Sequence, residues 1–221
     1  MIEEPFVYSG DDEVLVNAFN SSSRSTMDSN YWSEKVLEKL RGRVKTFYIS
    51  KQCTRCCYCN RHLGTENHRL WDVEHIVDRS KHAWFMFTPK NLAAACPDCN
   101  TAKSSTEVLI NPNRVTYPSN SADFKIIHPH FDNFDDHIHQ LGQVYLPKTR
   151  KGTFTIYTCD LLRFAEKYIE WGNNAADSRF ETEVNSAFSS GPMAQVAVQN
   201  IVDQLPVIDE SSRQLIKNVS S

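Results

Sequence analysis

The stretch Cys56-Cys57-Tyr58-Cys59, followed by Asp72-Val73-Glu74-His75-Ile76, then Asn91-Leu92, and finally Cys96-Pro97-Asp98-Cys99-Asn100-Thr101-Ala102-Lys103, decides how this chain is read. Cys56-x-x-Cys59 and Cys96-x-x-Cys99 are separated by 36 residues. Each pair can set two sulfurs on one side of a tight turn, and two such knuckles close a tetrahedral Zn2+ site with no open position. Two redox or unrelated cysteine pairs are the plainer alternative. Cys53-x-x-Cys56 is an equally good pair by spacing, but Tyr58 between Cys57 and Cys59 favours the later register.

Between the knuckles, Arg69 to Val77 reads as a strand and Asn91 to Ala95 as a short second one. Adjacent strand residues point to opposite faces, so one of Glu74 and His75 can hold a metal while its neighbour takes a proton. Pro97 suits the first turn of a helix and Asp98 complements its dipole; the helix is expected to run to about Val108. Asn100, on its first turn, can bring an amide oxygen to the metal held by Glu74. One carboxylate and one amide, completed by water and phosphate, suit Mg2+ or Mn2+ better than zinc.

These elements together, Cys-x-Tyr-Cys, Val-Glu-His-Ile, Asn-Leu and Cys-x-x-Cys-Asn-x-x-Lys, resemble the HNH endonuclease family over Cys56 to Lys103. The resemblance implies an α+β protein with a ββα-metal core and a four-cysteine zinc site, flanked by mostly helical regions. It implies Glu74 and Asn100 as ligands of the catalytic cation, His75 as general base, and Asn91 as the residue that orients His75. Two departures stand out. The first ligand is Glu where Asp or His is common, and Asp78 takes a position commonly filled by Pro. Asp72, on the same strand face as Glu74, is therefore a second candidate ligand.

The implied reaction is hydrolysis of a phosphodiester bond. Neutral His75 would accept a proton from the attacking water, and the cation would stabilise the transition state and the departing 3′ oxygen. Lys103, one turn after Asn100, is placed either to meet a phosphate oxygen or to lie in solvent. Arg79 and Lys81, with His82, could track the backbone from the loop after the strand. Double-stranded DNA is the expected substrate; RNA cleavage and a zinc-stabilised nucleic-acid-binding module without catalysis are the alternatives. Size and flanks resemble the HNH subunits of Septu-type antiphage systems, which implies an ATPase partner.

Composition agrees with a nucleic-acid enzyme once charge is divided along the chain. The 221 residues carry a net charge of -3. Residues 1 to 30 hold 1 basic and 6 acidic side chains, residues 31 to 114 hold 14 and 8, and residues 115 to 221 hold 9 and 13. A basic centre between acidic flanks keeps local phosphate attraction possible. Seven cysteines, four of them in two pairs, favour metal over disulfides in a reducing compartment. No apolar run is long enough to span a bilayer and the start is acidic, so a soluble, cytoplasmic protein is expected.

Three regions follow: an N-terminal arm and helix over 1–50, the nuclease core over 51–111, and an accessory region over 112–221. The helix is expected from about Asn30, with Trp32, Val36, Leu37, Leu40, Val44 and Phe47 inward. Its other face, Lys35, Lys39, Arg41, Arg43 and Lys45, reads first as a solvated face and second as a phosphate-binding stripe. The segment from His128 to His139 is rich in possible ligands, but its spacing favours loop and cap roles over a second metal site. A hairpin is expected from Gln143–Leu146 and Thr153–Tyr157 around Lys148–Gly152, then helices beginning at Asp160 and around Glu181–Phe188 and Met193–Gln204.

Overall fold

The computed structural model describes residues 1–165. The chain divides into two compact units, one of Met1–Phe134 with Phe154–Leu161, the other of Asp135–Thr153 with the chain from Leu162. The helices expected over Glu181–Phe188 and Met193–Gln204 lie outside the described residues, as does the end of the helix expected from Asp160.

The first unit opens with an arm that packs. Helix α1 (Asp11–Asn20) places Asp11, Asp12 and Glu13 in its first turn, where the helix dipole favours negative charge. Its buried face is Asp12, Val16 and Phe19. Ahead of it, the Ile2 amide donates to the Pro129 carbonyl (2.7 Å), and the Phe6 amide donates to the Tyr48 hydroxyl (3.1 Å). Helix α2 (Glu38–Lys51) starts later than its pattern predicts, because Ser29–Ser33 and Lys35–Leu37 form single 3-10 turns. Leu37, Leu40, Val44 and Tyr48 nevertheless recur at helical spacing and are fully buried, while Val36 is exposed.

Strand β1 (Asp72–His75) pairs antiparallel with β2 (Leu92–Ala95), in the register Asp72↔Ala95, Val73↔Ala94, Glu74↔Ala93 and His75↔Leu92. All four β2 residues are buried, and three of them, Ala93, Ala94 and Ala95, have small side chains that let neighbouring elements pack closely. The outer edge of β2 is closed by Gln52, whose amide donates to the Ala94 carbonyl and accepts from the Ala94 amide, both at 2.7 Å. A side chain thereby takes the place of a third strand and leaves that edge paired. Helix α3 (Pro97–Lys103) follows directly. It is shorter than expected: Ser104 turns to φ +46°, and Val108 and Leu109 leave the helix to be buried opposite Phe124.

The His128–His139 segment is used for packing and capping. Asp132 accepts from the His128 amide (2.7 Å), His128 Nε2 meets the Tyr117 hydroxyl (2.9 Å), and His130 Nε2 donates to the Leu92 carbonyl (2.8 Å). Among the described residues no metal-ligand cluster forms there.

In the second unit the expected hairpin is corrected. Strand β3 (Ile138–Leu141) pairs with β4 (Val144–Pro147), and the turn is at Gly142 with φ +58°, ten residues before the glycine expected to make it. A single turn, α4 (Phe134–His137), precedes β3. Thr153–Tyr157 is helical, within α5 (Arg150–Thr158), despite its β-branched and aromatic residues. Thr149 supplies the reason: its hydroxyl accepts from the Gly152 amide at 3.1 Å, the geometry of a helix N-cap. Asp160 has φ +49° and lies in a turn rather than at a helix start.

Two predictions test this framework. A Cβ on Gly152 would lie 2.0 Å from the His137 carbonyl oxygen, so Gly152→Ala is expected to destabilise the protein by about 1–3 kcal/mol in urea unfolding. Burial, against the Leu92 hydrogen bond and with the Lys90 charge, lowers the pKa of His130 from 6.5 to about 4. The unfolded chain therefore binds a proton that the folded chain refuses. Stability is full above pH 6.5 and is lost as pH falls towards about 4, by roughly 3 kcal/mol from this group. His130→Gln is expected to flatten that acid limb in melts taken across the range.

Candidate active site and metal centre

The sulfurs of Cys56, Cys59, Cys96 and Cys99 all lie within 4.8 Å of one another, and all four residues are buried. The first knuckle closes on itself: the Asn60 amide donates to the Cys56 carbonyl (2.9 Å), with Asn60 at φ +54°. The second opens α3, where the Asn100 amide donates to the Cys96 carbonyl (3.0 Å). The Cys96 amide donates to Cys56 Sγ at 3.3 Å and so ties the two knuckles together. Burial alone would raise the Cys56 thiol, yet hydrogen bonds from Cys57, Cys59, Cys96 and Cys99 carry its pKa well below the ordinary thiol range. Four buried sulfurs this close together, with no further donor, are arranged to bind a metal ion and fit structural zinc. Cys53 is exposed and outside the cluster, which settles the register in favour of Cys56 and Cys59.

Beside this centre, β1 divides its side chains between two faces. Glu74 is buried, and its Oε1 accepts from the Tyr58 hydroxyl at 2.9 Å and pairs with Lys103 Nζ at 2.7 Å. Burial raises the Glu74 pKa, while Lys103 and Tyr58 act to lower it. Asn100 Nδ2 donates to Asp72 Oδ2 at 2.9 Å, an orientation that leaves the Asn100 amide oxygen and Glu74 Oε2 without a donor among the described residues. Asp72 sits one step behind them, holding the Asn100 amide.

On the other face, His75 is 6% exposed, with Nε2 3.1 Å from the Met86 carbonyl oxygen and its ring edge-on to Trp32 at 4.6 Å. A ring nitrogen against a carbonyl must carry the proton, so Nδ1 keeps the lone pair. Burial, then the Arg79 charge, lowers the His75 pKa to about 3 against the pull of the Met86 hydrogen bond, which keeps the ring neutral at physiological pH. Asn91 does not touch this ring. Its amide donates to the Val77 and Phe85 carbonyls (both 3.0 Å) and accepts from the Val77 amide (2.7 Å). It therefore fixes the loop whose next carbonyl, that of Met86, meets His75.

Glu74, His75 and Asn100 line one cleft of about 380 Å3, together with Trp32, Asp78 and Arg79. A second cleft of about 410 Å3 shares Trp32, Val73 and Asn100 with it and is lined by Arg41, Lys45 and His68. Arg79 donates to the Ser29 carbonyl and Lys81 to the Ser105 carbonyl, so each is anchored at its tip. Lys103 differs from both of its expected placements: it is 1% exposed and donates to the His75 carbonyl at 3.1 Å besides pairing with Glu74. Two site residues were not anticipated. Tyr58 was legible only as a spacer between cysteines, and Trp32 only as a core residue of a helix, because contacts with Glu74 and His75 across the fold leave no local sequence mark.

Residues 56–106 match the sequence model of the HNH endonuclease family. The match spans both knuckles, β1, β2 and α3. No curated protein and no solved structure is matched by the chain.

Metal analysis is expected to find one tetrahedrally held zinc ion per chain. Cys99→Ser should lose it and with it the cooperative thermal transition, whereas Cys53→Ser should keep both.

Proposed function

We propose that residues 56–106 form the catalytic core of a metal-dependent endonuclease that hydrolyses phosphodiester bonds of DNA. The supporting observation is the meeting, in one cleft of the HNH-like segment, of a neutral histidine with a fixed tautomer and two donor-free oxygens, Glu74 Oε2 and Asn100 Oδ1. The order β1, β2, α3 around these residues supports reading the segment as a ββα-metal core, with zinc on the four cysteines and Mg2+ or Mn2+ on Glu74 and Asn100.

In this reading His75 Nδ1 accepts a proton from water as the water oxygen attacks phosphorus, and the P–O3′ bond breaks to leave a 5′ phosphate and a 3′ oxyanion that takes its proton from solvent, His75 later releasing its own to solvent. The Nε2–H bond to Met86 holds the tautomer that makes Nδ1 the base, and Trp32 shields the ring edge from solvent. Asn91 is a positioning residue that acts through the Val77–Met86 loop, and Asp72 is one that orients the Asn100 amide. When bound, the divalent cation supplies charge stabilisation to the phosphoryl oxygens and the leaving oxygen. Arg79 lines the cleft and Lys81 is held at its edge on the Ser105 carbonyl, so both contribute fixed positive charge towards the nucleic-acid backbone although their tips are anchored.

Supercoiled plasmid nicking with Mg2+ or Mn2+, run beside a structured RNA, tests the proposal. The wild-type chain is expected to nick DNA, and His75→Ala to lose about 10²–10⁴-fold in rate while keeping its zinc and its melting temperature. Binding without metal-dependent, His75-dependent cleavage would instead establish a non-catalytic module, and cleavage of RNA alone would reassign the substrate.

A further inference from the structure

Glu74 is held in an unusual way for a carboxylate that must meet a cation. Both of its donors are buried, and both converge on the same oxygen. The Tyr58 hydroxyl reaches Oε1 at 2.9 Å from inside the first cysteine knuckle, and Lys103 Nζ reaches Oε1 at 2.7 Å from the last turn of α3. Tyr58 is fully buried and Lys103 is 1% exposed. A buried ammonium costs several kcal/mol in lost hydration unless its partners are well placed. Here it has one carboxylate oxygen and the His75 carbonyl at 3.1 Å, so one cation touches both residues of the Glu74–His75 pair.

A buried ion pair that served packing alone could spread its two donors over both carboxylate oxygens. Concentrating them on Oε1 instead restrains rotation of the carboxylate and keeps both contacts off Oε2, on a residue that lines the cleft. The two donors also share an origin. Tyr58 lies between Cys57 and Cys59, and Lys103 lies one helical turn beyond Cys99, so each is placed by a cysteine pair. Loss of either knuckle would move one of the two groups that aim Glu74.

We infer that Tyr58 and Lys103 are positioning residues, a two-donor clamp on Glu74 Oε1 that presents Oε2 to the divalent cation and couples the cysteine centre to the active site. This rests on Glu74 being a ligand of that cation. The clamp accounts for a lysine in the core of a site that must attract a metal: the ammonium is tied to the oxygen the metal does not use. It also gives the tyrosine of the knuckle a role that its spacing does not reveal.

The test is Mn2+ binding by calorimetry on the zinc-loaded full chain, with zinc content and melting temperature measured on the same samples. Tyr58→Phe keeps the ring and removes the hydroxyl. It should retain one zinc per chain and bind Mn2+ on the order of 10–100-fold more weakly, the usual consequence of removing a group that orients a metal ligand. Its nicking rate should recover as Mn2+ is raised, which a general loss of structure would not allow. Lys103→Met, combined with Glu74→Gln so that no charge is left buried alone, should fold, hold zinc and bind no Mn2+. Wild-type Mn2+ affinity in Tyr58→Phe, or loss of zinc from it, overturns the clamp. Glu74→Gln alone separates the two levels: if it binds Mn2+ as the wild type does, the ligand assignment itself fails and the clamp with it. If it loses Mn2+ while Tyr58→Phe does not, only the clamp fails.

Discussion

Four cysteine sulfurs within 4.8 Å of one another are the constraint on which the first unit depends. Thiolates at that separation would repel one another unless a cation neutralised them, so a metal ion bound there would add its binding energy to that of the apolar core and hold the two knuckles together. What the knuckles carry follows from their position. The first bonds to β2 through the Cys57 amide and the Ala94 carbonyl (3.1 Å), and the second supplies the N-cap of α3. A seven-residue helix is too short to be stable by propensity, and α3 persists because its first turn is anchored at the metal centre and its last is buried through Lys103. Asn100 and Lys103 are thus placed with a precision that the helix alone could not provide.

The histidine side of the cleft is built by different means. The chain between β1 and β2 has little regular structure, and its backbone polar groups must find partners elsewhere. Asn91 satisfies three of them, at Val77 and Phe85, and the Met86 carbonyl then falls against His75. The same loop buries Phe85, Met86 and Phe87; Phe87 packs against Trp32 and against Tyr8 and Phe19 of the N-terminal arm, and Trp32 in turn meets the histidine ring. The Glu74 face of β1 and the His75 face are therefore supported independently, one through Tyr58 and Lys103 beside the cysteine pairs and one by an amide and an aromatic cluster. Strand alternation at Glu74 and His75 is the single element they share.

Most of this was legible where chemistry depends on spacing. Cys-x-x-Cys repeated, Glu74 next to His75, and Asn100 after the last cysteine each fix geometry over a few residues, and the pairing of β1 with β2 and the start of α3 follow from the same stretch. Geometry that depends on distant partners was not legible. Lys103 carries the same charge in solvent as in a core, and only its burial against Glu74 distinguishes the two. The Thr153–Tyr157 segment has strand-like composition, but the Thr149 cap and the close approach of Gly152 to His137 outweigh propensity there. The end of α3 was overestimated because Val108 and Leu109 continue a helical pattern while being buried opposite Phe124.

The charge pattern along the sequence has a spatial meaning that its division into segments only hinted at. The basic face of α2 is not a uniform stripe. Asp12 of the acidic arm takes Arg43 through both guanidinium nitrogens, and Glu4 pairs with Lys51. Arg41 and Lys45 form no short ion pair among the described residues; they donate to backbone carbonyls, Arg41 to Glu34 (2.8 Å) and Lys45 to His68 (3.1 Å), which immobilises the side chains, with the Asp72 charge acting on Lys45 from nearby. These are the two α2 cations that line the cleft next to Asn100. The acidic N-terminus thus pairs Arg43 and Lys51, while Arg41 and Lys45 line the cleft together with Glu38 and Asp72. A chain of net charge -3 can in this way carry a local group of cations, because what attracts a polyanion is the local field and not the sum over the molecule.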